Sequence, residues 1–196
     1  MSAAKTTSGG ERARADCTDF STLFVAPSPV SGQSMRIIVN MICDLAALPF
    51  SSEAHERALR ASGVTLRGPD HASDRERDWI AANFGGNWPA EASAGQNWFS
   101  YDSGGALSGF ATFEQRVHRY WWLEGWLEQA DVGIFGPMGV APYQRGRQVG
   151  TVLAQQALLS LKELGFRRAL IPAVGPVEFY QRCCGATVIQ RLERPA

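Results

Sequence analysis

The sequence predicts an α/β (α+β) fold, because strand-like and helix-like segments are mixed along its 196 residues. Trp98–Tyr101 alternates in polarity, and Ala106–Val117 is a returning strand after the turn Asp102–Gly105, which is typical of a β-hairpin. Val132–Val140 is an apolar strand, and a basic loop and a helix with apolar residues at helical spacing follow it. Arg168–Ile171, after that helix, is a further predicted strand.

Local patterns predict the elements that precede the hairpin. Val64–Arg67 is a short strand. Asp74 is the expected N-cap of a helix whose apolar side includes Phe84 and which ends at Gly85–Gly86. Pro89–Ala94 then forms a second, short helix.

The N-terminal third of the chain is harder to assign. Residues 1–34 are rich in Ser, Ala, Thr and Gly and are predicted to be a disordered, dispensable tail. Residues 35–62 are an extension of uncertain structure, although Glu53–Ala61 has helical composition. The apolar stretch Ile37–Leu48 is a surface-packed extension, or else the given start is over-long and Met35 is the true start. Residues 63–196 form the predicted main domain.

Composition limits the function classes to which the chain can belong. The formal net charge is zero and the pI is about 6.8, which favours neither nucleic acid nor an anionic membrane as the main partner. No run of about 18 apolar residues predicts a membrane span. The cysteines and histidines show no metal-ligand spacing, so no metal is expected, and small buried thiols favour a reducing, cytoplasmic location. These residues are Cys17, Cys43, Cys183, Cys184, His55, His71 and His118.

A basic, glycine-bearing loop, Gln144–Gly150, lies between the apolar strand and the following helix. Such a strand–loop–helix directs backbone N–H groups and the positive end of the helix dipole at one spot, which is suited to phosphate. Arg145 and Arg147 add donors for phosphate oxygens, while Gly146 and Gly150 let the main chain approach an anion. The loop matches neither the dinucleotide fingerprint nor the P-loop. The alternative interpretation is that it only caps a helix.

Two prolines interrupt neighbouring predicted strands near their C-terminal ends. Pro137 lies inside Val132–Val140, and Pro172 follows Arg168–Ile171. Each proline removes a donor from the hydrogen-bond ladder, which normally requires a bulge or an edge. We therefore expect the two strands to part where the prolines occur. The alternative is that the prolines mark edge or loop positions.

Residues 140–150 have the pattern V-x-P-x-x-R-G-x-x-x-G, which runs into a helix. This pattern resembles the acetyl-CoA-binding motif of the GNAT acyltransferase superfamily. Phe179-Tyr180, on a predicted short helix, is similar to that family's second signature, and Val64–Arg67 resembles its first strand. The resemblance extends over residues 63–193. It implies a mixed, mostly antiparallel central sheet flanked by helices, with splayed central strands that hold the pantetheine arm.

The resemblance also implies an activity, the direct transfer of an acetyl group from acetyl-CoA to a primary amine of a small molecule within a ternary complex. Met138 and Val140 would supply main-chain contacts to the acetyl carbonyl and the pantetheine. Tyr180 would be the general acid that protonates the leaving thiolate; the alternative is that it packs with Phe179 in the core. Main-chain N–H groups would hold the pyrophosphate at Arg145, Gly146, Arg147, Gln148, Val149, Gly150 and Thr151.

Three features depart from the family pattern. Gln148 stands where a glycine is usual, although its N–H can still donate to a phosphate. Ala173 stands near a position that often carries a cofactor-binding asparagine. One extra residue, Cys183 or Cys184, precedes Gly185.

The sequence does not decide which group is the general base or which residues bind the acceptor. Tyr120–Leu127, an aromatic insertion relative to the family, either packs on the core or walls the acceptor side. A chain of waters could carry the proton in place of a carboxylate. Four carboxylates are candidates for the base, namely Glu114, Glu128, Asp131 and Glu178.

The rival to catalysis is a non-catalytic acyl-CoA-binding sensor or an interaction module. Such a protein would not need Tyr180. The expected partner is a small amine, with no nucleic acid and no membrane. Since members of the family often dimerise, the resemblance also allows a homodimer.

Overall fold

The computed structural model describes residues 35–48, 53–116 and 120–195, so the predictions for residues 1–34 lie outside the described part. The described residues form a mixed seven-stranded sheet with six α-helices around it, which confirms the predicted fold class. The strands are β1 Met35–Asp44, β2 Thr65–Asp70, β3 Gln96–Tyr101, β4 Leu107–Phe113, β5 Val132–Val140, β6 Arg168–Val174 and β7 Thr187–Pro195. The helices are α1 Glu53–Ala61, α2 Asp74–Phe84, α3 Trp88–Ala94, α4 Glu124–Leu127, α5 Val149–Glu163 and α6 Val177–Cys184.

The sheet has the strand order β2-β3-β4-β5-β6-β1-β7 and is mostly antiparallel, as predicted. Strands β2 to β5 pair with their sequence neighbours in antiparallel fashion, and β1 is antiparallel to both β6 and β7. Only β5 and β6 are paired in parallel within the described sheet. A parallel pair needs a long crossover, which α5 supplies.

Strand β1 lies inside the sheet, between β6 and β7, with pairing on both sides. Met41 and Cys43 of this strand are fully buried. The interpretation of Ile37–Leu48 as a surface-packed extension is therefore wrong. The apolar run of this strand lacks the period-two alternation that marks a half-exposed strand, so the sequence did not indicate this position.

The position of β1 makes a prediction about truncation. A chain that begins at Glu53 should lose cooperative unfolding, because β6 and β7 are joined only through β1 in the described sheet. A chain that begins at Met35 keeps β1 and is the matched control. Thermal denaturation followed by circular dichroism compares the two. A cooperative transition in the shorter chain at the temperature of the control would contradict the prediction.

Helices cover both faces of the sheet, and neighbouring strand residues point to different clusters. Ala111 packs in the cluster that includes Leu158 of α5, together with residues of α1 and α6. Phe110, the preceding residue, packs with α2 and α3. Because successive side chains of a strand alternate in direction, α5 and the α2–α3 pair lie on opposite faces.

The start of α2 corrects one predicted detail. Asp74 is the first helical residue, and Ser73 is the N-cap. The Ser73 N–H donates to Glu76 Oε2 at 2.8 Å, and the Ser73 hydroxyl lies 2.6 Å from the same oxygen. Glu76, the third helical residue, therefore reaches back to the cap, as in a capping box. The Ser-x-x-Glu spacing was the signal in the sequence.

Candidate active site

The central strands β5 and β6 part along their C-terminal halves. Three residue pairs join them, and the last pair is Ile134 with Leu170. Beyond it β5 continues to Val140 and β6 to Val174 without further pairing to each other. The predicted splay of the central strands is therefore present, and it leaves unpaired main-chain groups on both sides of a gap.

The two prolines lie at irregularities of these strands, as their chemistry predicts. The register of β5 against β4 shifts at Gly136-Pro137. The register of β6 against β1 shifts opposite Asn40, next to Pro172. Ala173 there has a positive φ of 50°, and its N–H donates to Asn40 Oδ1 at 3.0 Å. The buried Asn40 side chain thus supports the irregularity of β6 beside Pro172.

A cavity of about 570 Å³ lies beside the end of β5 that diverges from β6. Its lining includes eight of the nine residues that the sequence predicts for cofactor binding. Arg147, the ninth, is exposed and is not part of the lining. The eight residues are Met138, Val140, Arg145, Gly146, Gln148, Val149, Gly150 and Thr151.

The N-terminus of α5 forms one end of the cavity. The first hydrogen bond of this helix runs from the Val152 N–H to the Gln148 carbonyl at 3.0 Å. The amides of Val149, Gly150 and Thr151 precede that bond and so have no carbonyl of the helix to pair with. No first-turn residue of α5 is acidic, so the positive end of its dipole has no carboxylate partner within that turn. This is the arrangement that binds a phosphate group.

Gln148 adopts the left-handed conformation, with φ 64° and ψ 2°, directly before α5. A side chain is strained there, whereas glycine adopts such angles freely. The geometry explains in physical terms why a glycine is usual at this point of the family pattern. It also shows that glutamine is accommodated, since the helix still begins at Val149.

Replacing Gln148 by glycine should stabilise the protein. Relief of the left-handed strain outweighs the larger chain entropy of glycine, which leaves a gain of about 0.5–1 kcal/mol in the free energy of unfolding. Urea denaturation measures the change, and Gln148→Ala, which keeps the strain, is the control. A glycine variant that is less stable than the alanine variant would contradict the argument.

Two further observations test whether the cavity suits a bound group. A Cβ added to Gly150 would lie 3.5 Å from Val140 Cγ2, 3.8 Å from Phe179 Cζ and 3.9 Å from Met138 Cε. The absence of a side chain at Gly150 therefore keeps the gap open. Gln144 lines the same cavity and is 5% exposed, and its Oε1 has no hydrogen-bond partner among the described residues. The first feature leaves room for a ligand, and the second suits a ligand with polar groups.

An aromatic pair from the opposite face of the sheet completes the lining, and the sequence did not identify it as part of a site. A Cβ at Gly139 would come within 2.4 Å of Phe84 Cζ, so the Phe84 ring lies directly on the β5 backbone. Phe84 stacks on Trp88 with ring centroids 5.1 Å apart and an interplanar angle of 26°. Both residues line the cavity. The only signal in the sequence was their spacing of four across the glycine break.

Tyr180 lies behind this lining rather than in it. Its side chain is 8% exposed, and its ring packs edge-on against Phe179 at 4.9 Å and Phe135 at 6.0 Å. Phe179 lines the cavity, whereas Tyr180 is not among the lining residues. Burial raises the pKa of Tyr180 well above that of an ordinary phenol, so its hydroxyl stays protonated. The packing contacts match the structural alternative for Tyr180, and its acid role stays a prediction.

None of the four candidate bases is part of the cavity lining. Asp131 forms a two-point ion pair with Arg168 at the start of β5, whereas the cavity lies at its end. That guanidinium holds the pKa of the Asp131 carboxyl below its usual value. Glu114 accepts a hydrogen bond from the Ile134 N–H at 3.1 Å. The other two, Glu128 and Glu178, are exposed.

The aromatic insertion packs against the sheet away from the cavity. Tyr120 and Leu123 are buried with Val132 and Leu170, at the paired ends of β5 and β6. Trp126 lies 5.8 Å from the Arg168 guanidinium, within the range of a cation–π contact. These contacts favour the packing interpretation of the insertion, since none of its residues lines the cavity.

Residues 35–48, 53–116 and 120–195 contain neither a cluster of metal ligands nor a helix that could span a membrane. This part of the chain contains no group of three or more His, Cys, Asp or Glu residues that could hold a metal ion. Its three cysteines, Cys43, Cys183 and Cys184, are free and buried. None of its helices has both the length and the apolar character that crossing a bilayer requires.

Comparison with known proteins identifies the family. The model of the acetyltransferase (GNAT) family matches residues 55–186, more than half of the chain. The chain belongs to the GNAT acetyltransferase family. The match begins before the predicted boundary at residue 63 and includes the splayed strands and the loop before α5. No curated protein sequence matches the chain significantly.

Several solved structures of GNAT proteins share the fold. A GCN5-related glucosamine N-acetyltransferase region of a fungal multi-domain β-N-acetylglucosaminidase is 16% identical, with a TM-score of 0.63 over 83% of this chain and 21% of that one. A GCN5-related N-acetyltransferase from Kribbella flavida is 17% identical, with a TM-score of 0.50 and coverages of 83% and 60%. A tandem GNAT protein of the clavulanic acid pathway is 14% identical, with a TM-score of 0.52 and coverages of 84% and 56%. This chain therefore spans less than two thirds of each.

Proposed function

We propose that this GNAT protein is an acetyl-CoA-dependent N-acetyltransferase that acts on a primary amine of a small molecule. The observation that carries the proposal is the cavity beside the end of β5 that diverges from β6, with the free amides of the α5 N-terminus at one end. Splayed strands supply main-chain groups for an extended arm, and the helix N-terminus supplies donors for a diphosphate. Acetyl-CoA carries both groups in one molecule.

Each part of the lining then has a defined task. The first amides of α5 and the Arg145 side chain bind the diphosphate. Gly150, which has no side chain, leaves room for the pantetheine arm. Main-chain groups of Met138 and Val140 hold the pantetheine and the acetyl carbonyl. A backbone N–H directed at the developing oxyanion is worth about 3–4 kcal/mol in the transition state. Acetyl-CoA supplies the activated acyl group.

Direct transfer is supported by the way the lining spans the sheet. Gly150 and Phe179 approach the gap from the face of α5 and α6, whereas Phe84 and Trp88 approach it from the face of α2 and α3. Donor and acceptor can therefore meet in the gap from opposite sides. Holding both reactants in line removes much of the entropic barrier to a bimolecular reaction.

Tyr180 is the proposed general acid for the leaving thiolate. Its raised pKa keeps the proton on the phenol at neutral pH, which is the state that donation requires. Reaching the thioester from its buried position requires a short path past Phe179. This role distinguishes an enzyme from an acyl-CoA-binding module, which needs the loop but not the phenol.

The loop assignment predicts different effects for its two arginines. Arg145 lines the cavity and Arg147 does not, so Arg145→Ala should weaken acetyl-CoA binding by about tenfold and Arg147→Ala by about twofold. Isothermal titration calorimetry measures both dissociation constants. Equal and negligible losses in the two variants would contradict the assignment.

The proposed reaction is tested by release of the free thiol of CoA from acetyl-CoA in the presence of a panel of primary amines. Amine-dependent release, with the N-acetylated product detected by mass spectrometry, is the expected result. Tight binding of acetyl-CoA without turnover of any amine would favour the sensor or interaction module. The panel should contain aliphatic amines, aromatic amines, amino acids, amino sugars and polyamines.

The proposal also includes a cytoplasmic location. Three buried free thiols are consistent with the reducing cytoplasm. A neutral chain that acts on a small amine needs neither nucleic acid nor a membrane as a partner. A homodimer is compatible with this arrangement.

A further inference from the structure

We propose that Phe84 and Trp88 form the acceptor subsite and select an amine that is carried by a planar aromatic ring. The inference rests on the proposed acetyltransferase function and names the class of its acceptor. Three features of the described residues carry it, namely the face of the sheet on which the pair lies, the rigidity of the pair, and the charges around it.

The pair lies on the acceptor face of the gap. Side chains of Met138 and Val140 point toward Gly150 of α5, the donor-binding helix. Gly139 between them points to the other face, where the Phe84 ring covers it. A ligand that leans on Phe84 and Trp88 therefore reaches the acetyl-binding segment of β5 from the side opposite the diphosphate.

Surrounding rings fix the orientation of the pair. Phe84 contacts the fully buried Phe110 at 5.7 Å, and Trp88 contacts the same ring at 6.0 Å. Trp79 meets Phe84 edge-on at 5.6 Å. A wall of rings that is already ordered binds a planar partner at low entropic cost. Stacking on such a wall also contributes more binding free energy for a flat aromatic ring than for a saturated ring of the same size.

The charges near the pair favour an uncharged acceptor over a polycation. Arg145 brings a positive charge to the cavity. Glu76, the buried carboxylate of α2, already binds the Arg67 guanidinium and accepts a hydrogen bond from the Tyr101 hydroxyl at 2.7 Å. Glu91 of α3 is buried and receives the Tyr120 hydroxyl at 3.2 Å. These carboxylates are engaged within the protein, so a second ammonium group would be desolvated without a counter-charge from them.

The step itself is an ordinary aminolysis. The neutral amine nitrogen attacks the thioester carbonyl carbon, a C–N bond forms and the C–S bond breaks. The nitrogen loses one proton and the departing sulfur gains one, so that an amide and the free thiol of CoA result. An aromatic ring stacked on Trp88 would hold the amine along this line of attack.

Two amines of similar size test the proposal, 2-phenylethylamine and 2-cyclohexylethylamine, with spermidine as the polycation. We expect the wild-type kcat/KM, expressed per neutral amine, to be about tenfold higher for the phenyl compound than for the other two. Trp88→Leu should abolish that preference by lowering kcat/KM about tenfold for the phenyl compound alone, with the Kd of acetyl-CoA unchanged. Trp126→Leu is the matched control, because Trp126 packs beside Arg168 and does not line the cavity, and it should keep the preference.

The outcomes separate this inference from the function on which it rests. Acetylation of all three amines without preference for the flat ring, or an equal loss for both ring compounds in Trp88→Leu, would overturn the acceptor subsite and leave the acetyltransferase standing. Failure of the wild-type protein to acetylate any amine of the wider panel, despite binding acetyl-CoA, would overturn the proposed function and the inference together.

Discussion

Gly150→Leu should abolish detectable binding of acetyl-CoA, which corresponds to a loss of at least about a hundredfold in affinity. A methyl group at this position fits, since a Cβ would have only ordinary contacts with Val140, Phe179 and Met138. The remaining atoms of leucine would extend into the gap where the pantetheine arm is expected. Leucine also has a higher helix propensity than glycine, so the fold should be retained. Calorimetric titration with acetyl-CoA measures the loss.

Gly150→Ala is the matched control for this substitution. Its methyl group adds no more than the Cβ contacts described above, so the affinity for acetyl-CoA should fall less than tenfold. The thermal midpoint of both variants should equal or exceed that of the wild type. Unchanged affinity in a folded leucine variant would show that acetyl-CoA does not pass along Gly150.

Tyr180→Phe should lower kcat by about a hundredfold and leave the Kd of acetyl-CoA within about twofold of the wild-type value. The substitution keeps the ring that packs between Phe179 and Phe135 and removes only the hydroxyl. Steady-state kinetics with the best amine of the panel and calorimetry with acetyl-CoA give the two quantities. Equal kcat in the two proteins would reduce Tyr180 to the packing role that its contacts describe.

The pH dependence adds a second test of Tyr180. Burial raises its pKa above the ordinary value of 10.0, so the phenol remains protonated over the whole range from pH 7 to 9. The ratio of wild-type to variant kcat should therefore be constant over that range. A ratio that falls as the pH rises would mean that the hydroxyl titrates there, in conflict with its burial.

The parts of the fold that local patterns specify agree with the structure. The bounds of β5, Val132–Val140, and of α1, Glu53–Ala61, match the predicted segments. An apolar run and a helical composition are properties of the segment itself, so they can be read without knowledge of its partners. The splay of β5 and β6 was also predictable, since Pro137 and Pro172 cannot donate to the ladder. A loop with two glycines before a helix likewise indicated the cavity.

The parts that depend on distant partners did not follow from local pattern. Nothing within Met35–Asp44 indicates that this strand pairs with β6 and β7, more than 120 residues away. The sequence places Phe84 only on the apolar side of α2, because a helical period cannot show that the last ring of a helix also lines a cavity at the sheet. The role of Tyr180 rests on family resemblance, and only the structure shows that Phe179 lines the cavity while Tyr180 does not.

The central claim is that the amides at the start of α5 hold the diphosphate of CoA, with the arm lying between β5 and β6. The most direct test is the affinity of the wild-type protein for three acetyl thioesters, those of pantetheine, 4′-phosphopantetheine and CoA, measured by calorimetry at one salt concentration. The account predicts that affinity rises at least tenfold with the first phosphate and rises again with the complete diphosphate of CoA. Acetylpantetheine that binds as tightly as acetyl-CoA would contradict it.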